Sequence, residues 1–165
     1  MRTWKEGRTL EKLSLPSETL PVFPADAEQN RVWLANEVFY KAFESLNMEM
    51  MDAVWLDADY VKCLHPGGEL LSGRDLVMNS WQEIFSSTIS ARFQLAPVAV
   101  HVHGRMAWMV IQEEMSVNSG GQVNKVNLLT TNIFEKKDGD WRLVHHHSTI
   151  VPTEEPLAHA PKTIH

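Results

Sequence analysis

Three histidines stand in a row near the end of the segment Trp141-Arg142-Leu143-Val144-His145-His146-His147-Ser148. Imidazole is the side chain whose ordinary pKa lies closest to neutrality. It can take or give a proton, orient a polar ligand or bind a metal. The segment is β-patterned, and a strand sends successive side chains to opposite faces. Strict alternation predicts that His145 and His147 share a face with Trp141 and Leu143, while His146 and Ser148 face the other way. Two imidazoles on an otherwise core-like face predict a lined pocket rather than a packed interior.

A further histidine, His65, ends a short strand candidate, Tyr60 to His65, just before the turn Pro66-Gly67-Gly68. It is the candidate proton acceptor, and His65 with His147 is the candidate catalytic pair. His145 or His147 would orient or donate. The His-x-His spacing is also compatible with metal ligation, with His65 as a third ligand. No Asp or Glu is placed to join them, so no metal and no cofactor is expected. His101 and His103 repeat the spacing at a hairpin end and read as solvated.

Other side chains are candidates for binding. Trp55, Trp81 and Trp108 are expected to line a cavity wall and favour a flat apolar ligand, against the competing reading of ordinary core indoles. Asn132 shares a strand face with Thr130, and a buried Asn must be hydrogen-bonded. Glu113 and Glu114 face opposite ways, so one of them points to the cavity or to a dimer interface. Cys63 has no neighbouring charge to activate it and reads as structural. Ser148 lacks the elbow of a nucleophilic serine. The chain has no nucleotide-binding glycine loop.

The elements that must position these groups are legible from periodicity. Residues 1–25 carry Pro16, Pro21 and Pro24 and read as an irregular arm. Asp26 is a plausible N-cap, and Val32, Ala35, Val38, Phe39, Ala42, Phe43 and Leu46 recur at helical spacing over about 27–46. A second short helix follows from Met48 to Trp55, then the strand ending at His65, then a helix over 74–87. Four β segments near 89–103, 106–118, 122–136 and 140–151 are separated by His103-Gly104-Arg105, Asn118-Ser119-Gly120-Gly121 and Asp138-Gly139, which are hairpin signals. Helices before a run of strands predict an α+β fold. The order is α-α-β-α-β-β-β-β, with three N-terminal helices packed on a curved, mostly antiparallel sheet. The domain is expected over 26–152, with a tail at 153–165.

Composition narrows the classes. The 165 residues are 44% hydrophobic and 22% charged, with net charge −6. That balance favours one soluble domain and argues against a nucleic-acid partner. The single cysteine excludes an intramolecular disulfide and any cysteine-cluster metal site. No apolar run approaches the roughly 20 residues of a membrane span, and the first residues lack the apolar region of a signal peptide. A cytoplasmic protein is expected.

The chain resembles the nuclear transport factor 2-like superfamily and, within it, SnoaL-like and DUF4440-like proteins. Trp55, Cys63-Leu64-His65-Pro66-Gly67-Gly68, Gly73, Trp81, Thr131-Asn132-Ile133-Phe134 and Trp141 to Ser148 carry the resemblance over about 27–151. It implies a conical pocket lined by Tyr40, Trp55, His65, Trp81, Trp108, His145 and His147. The ketosteroid isomerases of that superfamily place a general-base Asp where His65 stands, an oxyanion-donating Tyr near Tyr40, and a protonated Asp near Thr130. This sequence departs at two of those three positions. The resemblance implies cofactor-free acid–base chemistry on a small apolar or carbonyl-containing molecule. The stretch Pro97 to Ser148 also resembles the association domain of calcium/calmodulin-dependent protein kinase II. That implies the alternative, a non-catalytic module forming a homodimer through the sheet face, with Val98, Val100, Met109, Ile111 and Val126 as the apolar patch.

Overall fold

The Asp26 carboxylate accepts a hydrogen bond from the Glu28 backbone N–H at 2.9 Å and so starts the first helix. Asn47 does the same for the second helix by accepting from Met50 N–H at 2.9 Å. Each satisfies one of the donors a helix start leaves orphaned. The computed structural model describes residues 26–152. The expected arm and tail, residues 1–25 and 153–165, lie outside them.

The order is α1 (Ala27–Glu44), α2 (Met48–Val54), β1 (Lys62–Leu64), β2 (Leu70–Ser72), α3 (Arg74–Ser87), β3 (Thr88–His103), β4 (Met106–Ser119), β5 (Gln122–Lys137) and β6 (Asp140–Ile150). One six-stranded sheet runs β2-β1-β6-β5-β4-β3. All pairs are antiparallel except β1 with β6. The predicted α+β order holds, with β2 added. That strand has three residues, too few to show a period, and it pairs with β1 across the Pro66-Gly67-Gly68 turn. The predicted turn between β5 and β6 has Asp138 at φ +53° and Gly139 at φ +91°. Two consecutive left-handed residues match the twist of the flanking strands, and Gly adopts that conformation without a Cβ penalty.

The core lies between the helices and the inner sheet face. α1 presents Val32, Asn36, Phe39, Tyr40 and Phe43 at three- and four-residue spacing, and α3 presents Val77, Trp81 and Phe85. Their rings interlock: Phe39 with Trp81 at 5.6 Å, Phe43 with Trp81 at 5.1 Å, and Tyr40 with Phe93 at 5.0 Å. Burying a ring such as Phe39 contributes about 2 kcal/mol. β4 turns Ala107, Met109, Ile111 and Glu113 inward, opposite Phe134, Asn132, Thr130 and Leu128 of β5.

This facing corrects the expected dimer patch. Val100, Met109 and Ile111 are buried core residues. β4 is apolar on both faces, with Met106 and Trp108 outside and Ala107 and Met109 inside, so hydrophobicity alone does not reveal which face is inner. Val98 is 58% exposed, and Val126 is half-buried.

Candidate functional site

The site is set by one residue of β6. Phe134 of β5 pairs with Leu143, and the next residue, Ile133, pairs with His145. Val144 is left over as a bulge. A bulge inserts one residue and shifts the alternation of everything beyond it. Trp141 and Leu143 face inward before it. His146 and Ser148 face inward after it, and all four are buried. The expectation that His145 and His147 share the inner face is therefore overturned. Both lie on the outer face, His145 half-buried and His147 exposed, with their rings 6.2 Å apart. There they pair with Lys62 and Leu64 of β1. The alternative of a three-histidine metal site falls with the same register, because His65 approaches His146 and not the outer pair.

His146 is 5% exposed and sits between Asn132 of β5 and Cys63 of β1. Its Nδ1 lies 2.7 Å from Asn132 Oδ1. The Asn132 amide nitrogen is committed to Asn36 Oδ1 at 2.8 Å, so Asn132 Oδ1 is the acceptor and His146 Nδ1 carries the hydrogen. That assignment leaves Nε2 as the basic nitrogen. Burial, with a smaller contribution from His65, His145 and His147, pushes the His146 imidazole down to about 3.

His65 follows β1 and approaches the same region. Its ring is 6.4 Å from that of His146 and meets Trp81 edge to face at 4.7 Å. Its Nε2 lies 3.0 Å from Ser80 Oγ, whose own hydrogen is donated to the Val77 carbonyl at 2.7 Å. His65 Nε2 must then be the donor, and Nδ1 is left able to accept a proton. Burial pushes His65 down to about 4, so at neutral pH it is an uncharged base. The Cys63 thiol, 3.7 Å from the same ring, is pushed up to about 12 by burial and stays neutral.

A second polar group borders the first. Tyr40 donates its hydroxyl hydrogen to Glu113 Oε1 at 2.5 Å, and both side chains are buried. Burial raises Glu113, against the opposing effect of hydrogen bonds from Thr130 and Tyr40. Burial and the neighbouring Glu113 raise Tyr40 well above the usual phenol range, while an Asn132 hydrogen bond acts the other way. Thr130 and Ser148 share a hydrogen bond of 2.7 Å.

The structure thus brings together Tyr40, His65, Trp81, Thr130 and Asn132 from the expected set. It leaves four expected residues out of that group. Trp108 is 40% exposed and stacks on His101 at 5.0 Å on the outer face, beyond reach of the interior along with His145 and His147. Trp55 is buried where its backbone bridges Leu143. Asn36 and His146 were not expected in the site. The signal for Asn36 was available, since it lies three and four residues before Phe39 and Tyr40 on the buried stripe of α1. Two surface clefts of about 310 and 260 Å³ run beside α1, α2 and the β5–β6 turn, and His65, His146, Tyr40 and Asn132 line neither.

Residues 32–154 match the SnoaL-like domain. The chain belongs to the SnoaL-like family. Its fold is that of the nuclear transport factor 2-like proteins. A proposed dehydratase of that family from Streptomyces avermitilis is 30% identical with a TM-score of 0.71, covering 75% of this chain and 97% of that one. A proposed association domain of calcium/calmodulin-dependent protein kinase type II from Thiobacillus denitrificans is 28% identical with a TM-score of 0.65, covering 72% and 93%. F-box protein SKIP8 of Arabidopsis thaliana is 35% identical over 116 residues, which is 70% of this chain and 48% of that protein. The SnoaL-like chain therefore spans about half the length of this curated relative. No helix among the described residues is long and apolar enough to cross a membrane.

Proposed function

We propose that this SnoaL-like domain binds a small apolar or carbonyl-containing molecule between α1, α3 and the sheet, and moves a proton on it without a cofactor. His65 is the proton acceptor. His146, rather than the outward His145 or His147, is the second imidazole of the site. The observation that carries this reading is the pair of uncharged imidazoles, His146 buried and His65 half-buried, whose tautomers are fixed by Asn132 and Ser80. A base held neutral at working pH in an apolar surround suits abstraction of a weakly acidic proton. The likeness to the Streptomyces avermitilis protein supports the same class. The test is exchange of α-protons of cyclic ketones in heavy water, followed by proton NMR. Wild-type protein should accelerate exchange, and His65→Ala should lose about a hundredfold or more of that acceleration with an unchanged circular dichroism spectrum. Equal exchange by the two proteins removes His65 from the role.

A second reading is an association module. Val98, Trp108 and Leu129 are 58%, 40% and 38% exposed on or beside the outer sheet face, an apolar surface that a second copy of the chain would cover. The likeness to the kinase-association-type structure supports this reading. Sedimentation of the wild type and of Trp108→Glu decides it. A dimer that Trp108→Glu dissociates supports the reading, and a wild-type monomer at micromolar concentration removes it.

A further inference from the structure

The hydrogen-bond inventory of the interior ends in a surplus of donors. Asn36 Nδ2 and Trp81 Nε1 are buried without a partner among the described residues, and both side chains are 0% exposed. Leaving such a donor unpaired costs free energy, so each points to a group that the protein itself does not supply. Both residues belong to the surroundings of His146. Asn36 is joined to His146 through Asn132, and the Trp81 ring stands 6.1 Å from the His146 ring and 4.7 Å from that of His65. Phe39, one turn along α1 from Asn36, touches both Trp81 and His146. A third unpartnered donor, Trp55 Nε1, belongs to the segment bridging Leu143 and is not part of this group.

The groups that the family comparison puts forward as oxyanion donors are not free. The Tyr40 hydroxyl is spent on Glu113. The Thr130 hydroxyl is held between Ser148 and Glu113. A ligand oxygen arriving in the interior meets no uncommitted hydrogen on either. The donor atoms beside His146 that have no hydrogen-bond partner among the described residues are on an amide and an indole.

We infer that Asn36 Nδ2 and Trp81 Nε1 form the acceptor-oxygen subsite of the interior, and that the ligand class is a neutral carbonyl compound whose oxygen replaces the missing partner of these donors. The inference rests on the interior being a ligand site, as proposed above, and adds which atoms recognise the ligand and by what chemistry. Neutrality follows from the surroundings. His65 and His146 are uncharged, and Glu113 lies in the same interior with no Lys or Arg paired to it among the described residues. A carboxylate ligand would meet Glu113 with no cation to offset it, and an ammonium would bring more donors to donors that already lack partners. In the proton transfer assigned to His65, the carbon–hydrogen bond breaks toward His65 Nδ1. The electron pair moves onto the carbonyl oxygen, where the two N–H groups receive the developing charge.

The experiment compares two probes of one shape, 1-tetralone and its hydrocarbon tetralin, titrated against wild type, Trp81→Phe and Asn36→Leu. Binding is read by ligand saturation transfer, and the indole N–H of Trp81 by proton–nitrogen NMR. Wild type should prefer the ketone by about tenfold, the size expected when a buried donor gains a partner. The Trp81 indole proton should move downfield with the ketone and not with the hydrocarbon. Trp81→Phe keeps a ring in place and should narrow the preference, and Asn36→Leu should do the same. Equal binding of the two probes to wild type overturns the subsite while leaving an apolar ligand site standing. A ketone preference undiminished in both variants also overturns it. Binding of neither probe overturns the ligand site together with its subsite.

Discussion

Asn132 on β5 and His146 on β6 face each other across the sheet, and the imidazole Nδ1–H donates to the amide Oδ1 at 2.7 Å in a buried setting. The same amide donates to Asn36. One side chain therefore satisfies groups from α1 and β6 and fixes a tautomer. Asn132→Leu keeps the volume and removes both partners. Each orphaned buried group costs about 1–3 kcal/mol, so the change should cost about 3 kcal/mol in urea unfolding. The double variant Asn132→Leu/His146→Phe should cost less than the sum of the single changes, because the second removes a group already orphaned. Strict additivity would mean that the two residues do not act as a unit.

The parts of this fold that were legible in the sequence are those with local chemistry. Asp138-Gly139 announces a two-residue turn, Asp26 and Asn47 announce helix starts, and the 3.6-residue stripe from Val32 to Phe43 announces a buried helix face. The bulge had no such mark. Val144 is as good a strand residue as its neighbours, and it becomes a bulge only because Ile133 and Phe134 pair on either side of it. One unpaired residue then reverses the facing of the six that follow it in β6, so strict alternation identifies the strand of the histidine triplet but assigns the three side chains to the wrong faces. The outer patch failed for another reason: β4 and β3 carry apolar residues on both faces, so alternation gave no sign of which face was buried.

Deleting Val144 tests that account directly. The deletion joins Leu143 to His145, and the existing partners Phe134 and Ile133 are already consecutive. β6 becomes a regular strand with the same residues facing inward. The protein should fold, lose about 1–2 kcal/mol with the buried valine side chain, and keep His146 opposite Asn132. The check is the His146 ring proton titration, which should stay far below that of an exposed histidine. A His146 that titrates near 6.5 in the deletion protein would show that the bulge does more than absorb one residue.

Stability should fall on acidification, and the sign follows from the two inner imidazoles. Burial holds His65 at about 4 and His146 at about 3, against an ordinary 6.5. Below pH 6.5 the unfolded chain takes up protons that the folded chain refuses. The contribution of these groups is complete above pH 6.5 and is lost progressively down to pH 4 and then 3. Each unit of depression corresponds to about 1.4 kcal/mol. His145, lowered by burial and by His147, adds in the same direction. Urea midpoints measured from pH 7.5 to pH 4 should drop steeply for wild type and less steeply for His146→Phe. Parallel slopes would rule out the His146 imidazole as a source of the dependence.

Glu113 works against that trend, and its substitution separates the two. Burial raises its carboxyl, and the hydrogen bonds from Thr130 and Tyr40 only partly offset the shift. A raised carboxyl favours the folded state while protonated. That advantage is complete below the ordinary value of 4.5 and disappears as pH rises through the folded value, because the unfolded chain then ionises more readily. Glu113→Gln keeps an oxygen to accept from Tyr40 and cannot ionise. Relative to wild type it should gain stability between pH 5 and pH 8, because the wild-type carboxyl loses its advantage over that range and the amide does not. The measurement is the difference in unfolding free energy between the two proteins at both pH values. The same difference at pH 5 and pH 8 would mean that Glu113 does not change protonation on folding in this range. A Gln variant that becomes relatively less stable at pH 8 would mean that the buried carboxylate is held by a favourable charge. In that case the interior would also tolerate an anionic ligand, contrary to the neutral class assigned above.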